Sequence, residues 1–443
     1  MDIHRIFPVF ISLIFIFFTE CDTTEPPDKG TLTLTFEDAS CTEAWIILTI
    51  ENLQLPAEIN LIRTDVGGNL KSQILNLKSQ DSLLYIDSLL PNQTYKFHSV
   101  IQSINRSSNE VTATTMDTTS QNFTWQSWTF GEVGSSVLFD VAIIDENNIW
   151  AVGEIMIADT SVNGYTTYNA VHWDGSEWTL HRIMFYTICG QPNLSSYPAR
   201  AIFAFNENEI FIGGGGRQLA KISGMTQIET ICLPFSMVIN KIWGTSGNDL
   251  YVVGNNGSIA HYNGSQWLRI ESGTSLNIND IWGDYNDKIG EWEILAVGGN
   301  ILHGSESERV ILKIKDNQAQ HLNAEGTNWP LISVWFKSNR KYYVIGSGIY
   351  EKKFLSDTLW KDNGFDITHY TTYRIRGISL NDVMLVGAFG ECLHFNGSSW
   401  KSYIDQTMLN AGRFYGVNTK ENIIIAVGTN NPKAVITMGK RIN

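Results

Sequence analysis

From about residue 120 to its C-terminus the chain repeats one unit, and that repetition narrows its fold more than any other feature. The clearest copy is INKIWGTSGNDLYVVGNNGSIAHYNGSQWLRI, from Ile239 to Ile270. It reads as an apolar strand, a polar turn, a second apolar strand closing on Val-Gly, a third strand, and a turn into a Trp-bearing fourth. The opening INKIWG returns as INDIWG at Ile278 to Gly283, and more loosely around Val141, Ile202, Val334, Ile375 and Tyr415. The second strand closes in turn on Gly153, Gly213, Gly254, Gly298, Gly346, Gly387 and Gly428, which makes seven copies. From Gly254 onward these glycines are spaced 44, 48, 41 and 41 residues apart. Such a unit cannot bury its apolar faces alone, so the copies must stack on one another.

The turn into the fourth strand is most legible as HWDGSEW (His172 to Trp178), HYNGSQW (His261 to Trp267) and HFNGSSW (His394 to Trp400). Asp-Gly and Asn-Gly suit a tight hairpin, because they tolerate positive backbone dihedrals. Trp178, Trp267 and Trp400 then fall at equivalent places, where packing over the seams between copies is the expected role and sugar stacking the alternative. His172, His261 and His394 are likewise read as repeat features and not as a converging metal triad, since radial repetition sends equivalents to different blades. The seventh copy offers three strands before the chain stops at Asn443, whereas FTWQSWTF (Phe123 to Phe130) is a Trp-bearing strand with no copy of its own. The economical reading is that this early strand completes the last copy. Spacing and strand count together describe a seven-bladed β-propeller over residues 118–443, closed by an N-terminal strand.

This half resembles bacterial propellers of the kelch-like and photosystem-assembly-factor-like type, although neither the kelch double glycine nor the WD dipeptide is regular here. HWDGSEW is also similar to the sialidase Asp-box, a structural turn, without its leading Ser or the Thr before its Trp. Residues 31–117 break into short alternating runs such as TLTLTF and YKFHSVI, with strands expected at Thr31 to Phe36, Ala44 to Ile50, Glu58 to Arg63, Leu83 to Asp87, Thr94 to Ile101 and Val111 to Thr115. Leu89, Pro91 and Tyr95 in LLPNQTY resemble the tyrosine corner of fibronectin type III domains, a likeness that implies a β-sandwich with Trp45 in its core. The fold class is therefore all-β: a fibronectin type III-like sandwich followed by the propeller.

Residues 1–20 have the anatomy of an export signal, with Arg5 ahead of an apolar run from Ile6 to Phe18. Cys21 and the polar tether over residues 21–30 follow, as in bacterial lipoproteins. Lipidation of Cys21, and so a membrane anchor at the cell envelope, is the expectation. Thr19 and Glu20 are not the small residues such signals favour, so ordinary secretion and an uncleaved anchor stand as alternatives. Cys41, Cys189, Cys232 and Cys392 show no metal-ligand spacing, and neither a metal nor another cofactor is expected. Cys189 and Cys232 are either a disulfide between neighbouring blades or buried thiols.

A net charge of −14, without clustered Lys or Arg, argues against nucleic acid as a partner. No nucleophile elbow, zinc-protease helix or phosphate loop is present. The function expected is a non-enzymatic envelope protein that uses a propeller face to hold an envelope or extracellular protein or glycan. The alternative is a secreted hydrolase with its site on the propeller axis, glycans being the candidate substrate. Asp140 and Asp280 beside the first strands are its candidate carboxylates, although their related repeat positions favour structural hydrogen bonds. Arg200, Arg374, Arg376 and Arg413, also near first strands, are the candidate ligand-facing residues for an anion. Departures from the repeat, Ile155 to Tyr168 and Tyr186 to Pro198, are expected to carry specificity.

Overall fold

A computed structural model describes residues 30–300 and 308–442; the export segment and Cys21 lie outside the described residues. The described residues form two compact units, one from 30–39, 43–87 and 93–114, the other from 115 onward together with 40–42 and 88–92.

The first unit has two antiparallel sheets. Thr31–Ala39, Ala44–Glu51 and Asp81–Ile86 form one, and Leu70–Leu77, Ala57–Thr64 and Thr94–Ile101 form the other, with Arg106–Ser107 and Val111–Thr114 also pairing Thr94–Ile101. Alternating residues face inward, and Leu34, Trp45, Ile46, Leu48 and Phe97 are fully buried. Leu70–Leu77 is a strand that the sequence pattern does not announce. It lies at the sheet edge with nearly every side chain exposed, so it carries almost no apolar alternation.

In the second unit, seven antiparallel sheets of four strands follow the repeat. Their first strands are Val137–Asp145, Ala199–Asn206, Ile239–Ser246, Ile278–Asn286, Leu331–Lys337, Thr372–Ser379 and Arg413–Lys420. Each first strand contacts the first strand of the next sheet, and the seventh contacts the first, so the sheets stand radially around an axis: a β-propeller. The buried apolar residues sort into seven clusters, each shared by two neighbouring sheets. This is why the copies stack: every sheet covers its two apolar faces with its neighbours.

Phe123–Phe130 is the outer strand of the seventh sheet, paired antiparallel with Lys433–Arg441 from Arg441↔Phe123 to Ala434↔Phe130. The pairing is the one that the strand count requires.

The repeating glycines are explained by a close approach. A Cβ at Gly153, Gly254, Gly298, Gly346, Gly387 or Gly428 would fall 1.9–2.5 Å from a carbonyl oxygen at the start of the adjacent first strand. In the second sheet the equivalent residue is Gly214, not Gly213, since Gly214 is the one opposite Ala199.

Ile155 to Tyr168 is not a loose loop but an extension of the hairpin between the second and third strands of the first sheet, paired from Ile155↔Tyr168 to Ala158↔Tyr165. The Tyr186 to Pro198 segment is pinned by a small hairpin (Phe185–Tyr186 with Leu194–Ser195) and by a disulfide from Cys189 to Cys232. Cys232 ends the fourth strand of the second sheet and Cys189 lies in the segment leading into that sheet, so the bridge does not join two blades. Cys41 and Cys392 are buried thiols outside that disulfide, and the Cys41 thiol donates to Asp117 O at 3.1 Å.

Candidate functional site

Every first strand carries a β-bulge at the same step, directly after the residue that pairs with the repeating glycine. A bulge leaves one residue without a partner opposite and re-aims its side chain. The seven residues so released are Phe139, Arg200, Asn240, Asn279, Ile332, Tyr373 and Tyr415. Together with Arg374 they line one cavity of about 200 Å³ at the axis. The repeat thus supplies a ring of positions, and the chain fills each with a different chemistry.

Beneath the ring lies a layer of buried charge. Lys241 Nζ sits 2.6 Å from Asp140, whose Oδ2 accepts the Ile202 N–H of the next sheet at 3.0 Å. Asp280 receives Arg376 through two hydrogen bonds of 2.7 and 2.9 Å, the Val334 N–H at 3.0 Å, and the Ser333 hydroxyl. Burial alone would raise the Asp280 carboxyl, but Arg376, Arg374 and Lys241 together hold it well below the usual carboxylate range. Burial pulls Lys241 down to about 8, partly offset by Asp140. Asp140 and Asp280 are therefore spoken for. They tie one sheet to the next and anchor cations.

Arg374 is different. Its Nη1 lies 2.9 Å from Asp280 Oδ1, yet the approach is too oblique for a hydrogen bond, and both Nε and Nη1 are buried without a hydrogen-bond partner. Arg374 is therefore ion-paired but incompletely hydrogen-bonded in the wall of the cavity it lines. Around it, the Arg200 guanidinium stands 5.1 Å from the Phe139 ring centre, and Arg413 leans over Tyr373 and Tyr415 at 6.0 and 5.9 Å while donating to the Tyr373 hydroxyl at 3.2 Å. Glu154 is half-buried; burial raises its carboxyl and nearby Arg200 lowers it. Asn240 and Asn279 spend their amide NH2 groups on Asn255 Oδ1, Ile278 O, Gly299 O and Leu331 O, which leaves their amide oxygens as acceptors at the cavity. The mouth combines guanidinium donors, aromatic faces and two amide acceptors, a set suited to a carboxylate or another anion with adjoining N–H or O–H groups.

Of the four arginines singled out in the sequence, Arg200 and Arg374 line this cavity and Arg413 stacks on two of its aromatic walls. Arg376 instead lines a second axial cavity of about 120 Å³ with Lys241, Trp243, Trp282 and Asn418. Sequence reasoning passed over Phe139, Asn240, Asn279, Ile332, Tyr373 and Tyr415. Their signal was an inverse one: a position that varies in type while its neighbours in the repeat stay constant. Neither insertion contributes a residue to the cavity wall.

The repeated motifs lie elsewhere. Trp178, Trp267 and Trp400 open outer strands and pair with Trp173, Tyr262 and Phe395 at ring separations of 5.3, 5.3 and 5.2 Å. Each packs against a cluster shared by two sheets. Asp174, Asn263 and Asn396 accept the backbone N–H groups two and three residues on, and only the following Gly175, Gly264 and Gly397 have positive φ. The turn is thus four residues long and held by an acidic or amide side chain. His172, His261 and His394 bond Asn148, Asp249 and Asp382 at the start of their own second strands, at 3.0, 2.7 and 2.8 Å. In the first unit, Leu89 and Tyr95 are buried and Pro91 is half-buried.

No protein-family model matches the chain, and no curated protein matches it. Among solved structures it is similar to "YCF48 bound to D1 peptide", with TM-score 0.52, 15% identity, and coverage of 74% of this chain and 97% of that one. It is also similar to YCF48 from Cyanidioschyzon merolae (TM-score 0.48, 14% identity, 71% and 98% covered) and to the WD40 propeller domain of Doa1 (0.47, 10%, 72% and 98%). The first of these likenesses shows the fold, a β-propeller.

Proposed function

We propose that this chain is a non-enzymatic cell-envelope binding protein that holds a protein partner at the axial mouth of a seven-bladed propeller. The observation that carries the reading is the axial cavity walled by Arg200 and by Arg374, whose ion pair with Asp280 leaves Nε and Nη1 without a hydrogen bond. Asp280 is shared between Arg374 and Arg376, so one buried positive charge is left over that an incoming anion would offset. That a protein of similar fold was solved with a D1 peptide makes a polypeptide the first partner to test, ahead of a glycan.

The rest of the reading has its own support. Seven four-stranded sheets closed by Phe123–Phe130 speak for seven blades. Two facing sheets and the buried Leu89 and Tyr95 speak for a fibronectin type III-like first unit serving as spacer or second binding module. The apolar run before Cys21 speaks for export and lipid anchoring there. A hydrolase at the axis would need two available carboxylates facing one cleft; Asp140 and Asp280 are committed to Lys241 and Arg376.

The test is retention of envelope proteins on the immobilised full chain, compared with Arg374→Met. Asp280 keeps Arg376 in that variant, so folding should survive. A protein held by the wild type and lost with Arg374→Met is expected. Retention that ignores the substitution, or binding of glycans only, overturns the reading. Mass spectrometry of the native protein showing Cys21 unmodified overturns the anchor.

A further inference from the structure

Beside the axial mouth the chain holds three large apolar side chains in the open: Tyr370, Phe389 and Met408. Phe389 is unusual in two ways. It is half exposed, and its φ of 58° puts a bulky aromatic residue in the left-handed region where glycine and asparagine are at home. The backbone enforces this from both sides, since its N–H donates to Gly412 O at 2.9 Å and its carbonyl accepts the Leu409 N–H at 3.0 Å. The ring is thereby presented against Tyr370, 5.4 Å away between centroids. Met408 directly precedes the residue that bonds Phe389, and Tyr370 lies three residues before Tyr373 of the cavity wall.

The same segment reaches the cationic mouth. Ala388 bridges to Arg413, the residue whose guanidinium covers Tyr373 and Tyr415. An apolar shelf therefore adjoins an arginine-rich cavity without a carboxylate in its lining, on a chain whose net charge is −14. A strained backbone that leaves an aromatic ring half exposed, packed only against the equally open Tyr370, returns little packing to the fold, which points to contact with something else.

We propose that the mouth and shelf form one two-point site for a peptide, with a carboxylate seated on Arg374 and a neighbouring apolar side chain lying on Phe389, Tyr370 and Met408. This inference rests on the proposed axial binding site and adds its specificity. Charge complementarity selects the carboxylate, from an Asp or Glu side chain or from a chain terminus. The shelf, contiguous with Arg413, selects the residue beside it. Backbone N–H groups of the peptide find acceptors in the amide oxygens of Asn240 and Asn279.

The experiment probes the immobilised full chain with random fluorescein-labelled octapeptides in two forms, one with free C-termini and one C-terminally amidated. Arg374→Met and Phe389→Asn are run beside the wild type. Asn accepts the left-handed backbone, so Phe389→Asn removes the ring while keeping the loop. The expected result is enrichment of carboxylate-bearing peptides with an aromatic or aliphatic neighbour. Arg374→Met weakens them about tenfold or more. Phe389→Asn removes the preference for the apolar neighbour but keeps that for the carboxylate. Enrichment confined to the free C-termini assigns the carboxylate to a chain end; enrichment equal in both forms assigns it to a side chain, and either supports the proposal. Carboxylate peptides enriched without an apolar preference, or an apolar preference untouched by Phe389→Asn, overturn the two-point site while leaving the axial reading intact. Peptides that bind equally well to Arg374→Met overturn both.

Discussion

The aromatic clasp gives the most demanding test of how the propeller is held closed. Phe123 begins the strand that completes the seventh sheet, and it is 8% exposed. Its ring meets Tyr403 and His394 edge-on at 5.6 and 5.4 Å, and the Arg441 guanidinium lies 5.1 Å from its centre. It joins a cluster that includes Met384 and Val386 of the sixth sheet and Phe414 and Ile424 of the seventh. Truncation to Ala uncovers on the order of 150 Å² of apolar surface, or about 4 kcal/mol at ~25 cal/mol per Å². That falls within the ~3–5 kcal/mol typical of a Phe lost from a core. Thr124, the next residue, is exposed and bonds only the Lys440 carbonyl at 3.4 Å, so Thr124→Ala should cost under about 0.5 kcal/mol. Guanidinium unfolding followed by tryptophan fluorescence isolates the propeller, because Trp45 is the sole tryptophan before residue 125. A Phe123→Ala loss below about 1 kcal/mol, or one no larger than that of Thr124→Ala, would refute the idea that the clasp is part of the core.

Asp280→Asn should destabilise the propeller by about 3–5 kcal/mol, since Arg376 and Arg374 would be left buried against a neutral amide; calorimetry checks it, and a loss under about 1 kcal/mol contradicts the ionic layer. Burial, with Arg376 and Arg374 nearby, draws Lys241 down to about 8 against the opposing pull of Asp140 and Asp280, so its charge fades as pH rises through that value. Its folded value lies below the unfolded one, so the cost of burying that charge is present below about pH 8 and is relieved toward the ordinary lysine value near 10.4. Affinity for a carboxylate peptide should therefore fall above about pH 8, and Lys241→Arg should flatten the profile; an identical slope in both proteins counts against it. Breaking the disulfide by Cys189→Ser should cost up to about 4 kcal/mol, from a sequence separation of 43 residues. Melting with and without reductant measures this, and a wild type indifferent to reductant would argue that the bridge does not contribute.

The blades were legible because their signal is periodic and physical. Gly254 and its equivalents repeat where a Cβ would strike a carbonyl, and Asn263 and its equivalents repeat where a side chain must cap a turn. The clasp was legible by counting, since three strands without a fourth leave an edge. The sequence points to Gly213 where the structure uses Gly214, because the four consecutive glycines of IFIGGGG hide the register, which only the pairing with Ala199 settles. The site was half legible. Arg200, Arg374 and Arg413 stood out by charge, but charge alone did not separate them from Arg376, two residues from Arg374 on the same strand and in a different cavity. Phe139, Asn240 and Tyr415 were invisible because the bulge that brings them to the axis leaves no residue type of its own.

The clasp also fixes an order of events during synthesis. Phe123–Phe130 leaves the ribosome well before its partner Lys433–Arg441, the last of the described strands. At ~5–20 residues per second, the intervening three hundred or so residues take on the order of 15–60 s. For that time the strand can rest Trp128 and Phe130 on Trp173 and Trp178 of the first sheet but has no strand to pair with, and the ring cannot close however many blades have formed. A nascent chain of this kind carries an aromatic β-edge available to wrong partners, including the same strand of a neighbouring copy. Loss of Lys433–Arg441 would leave that edge without its partner for good, so this one strand decides whether the six sheets made before it are held in a closed circle.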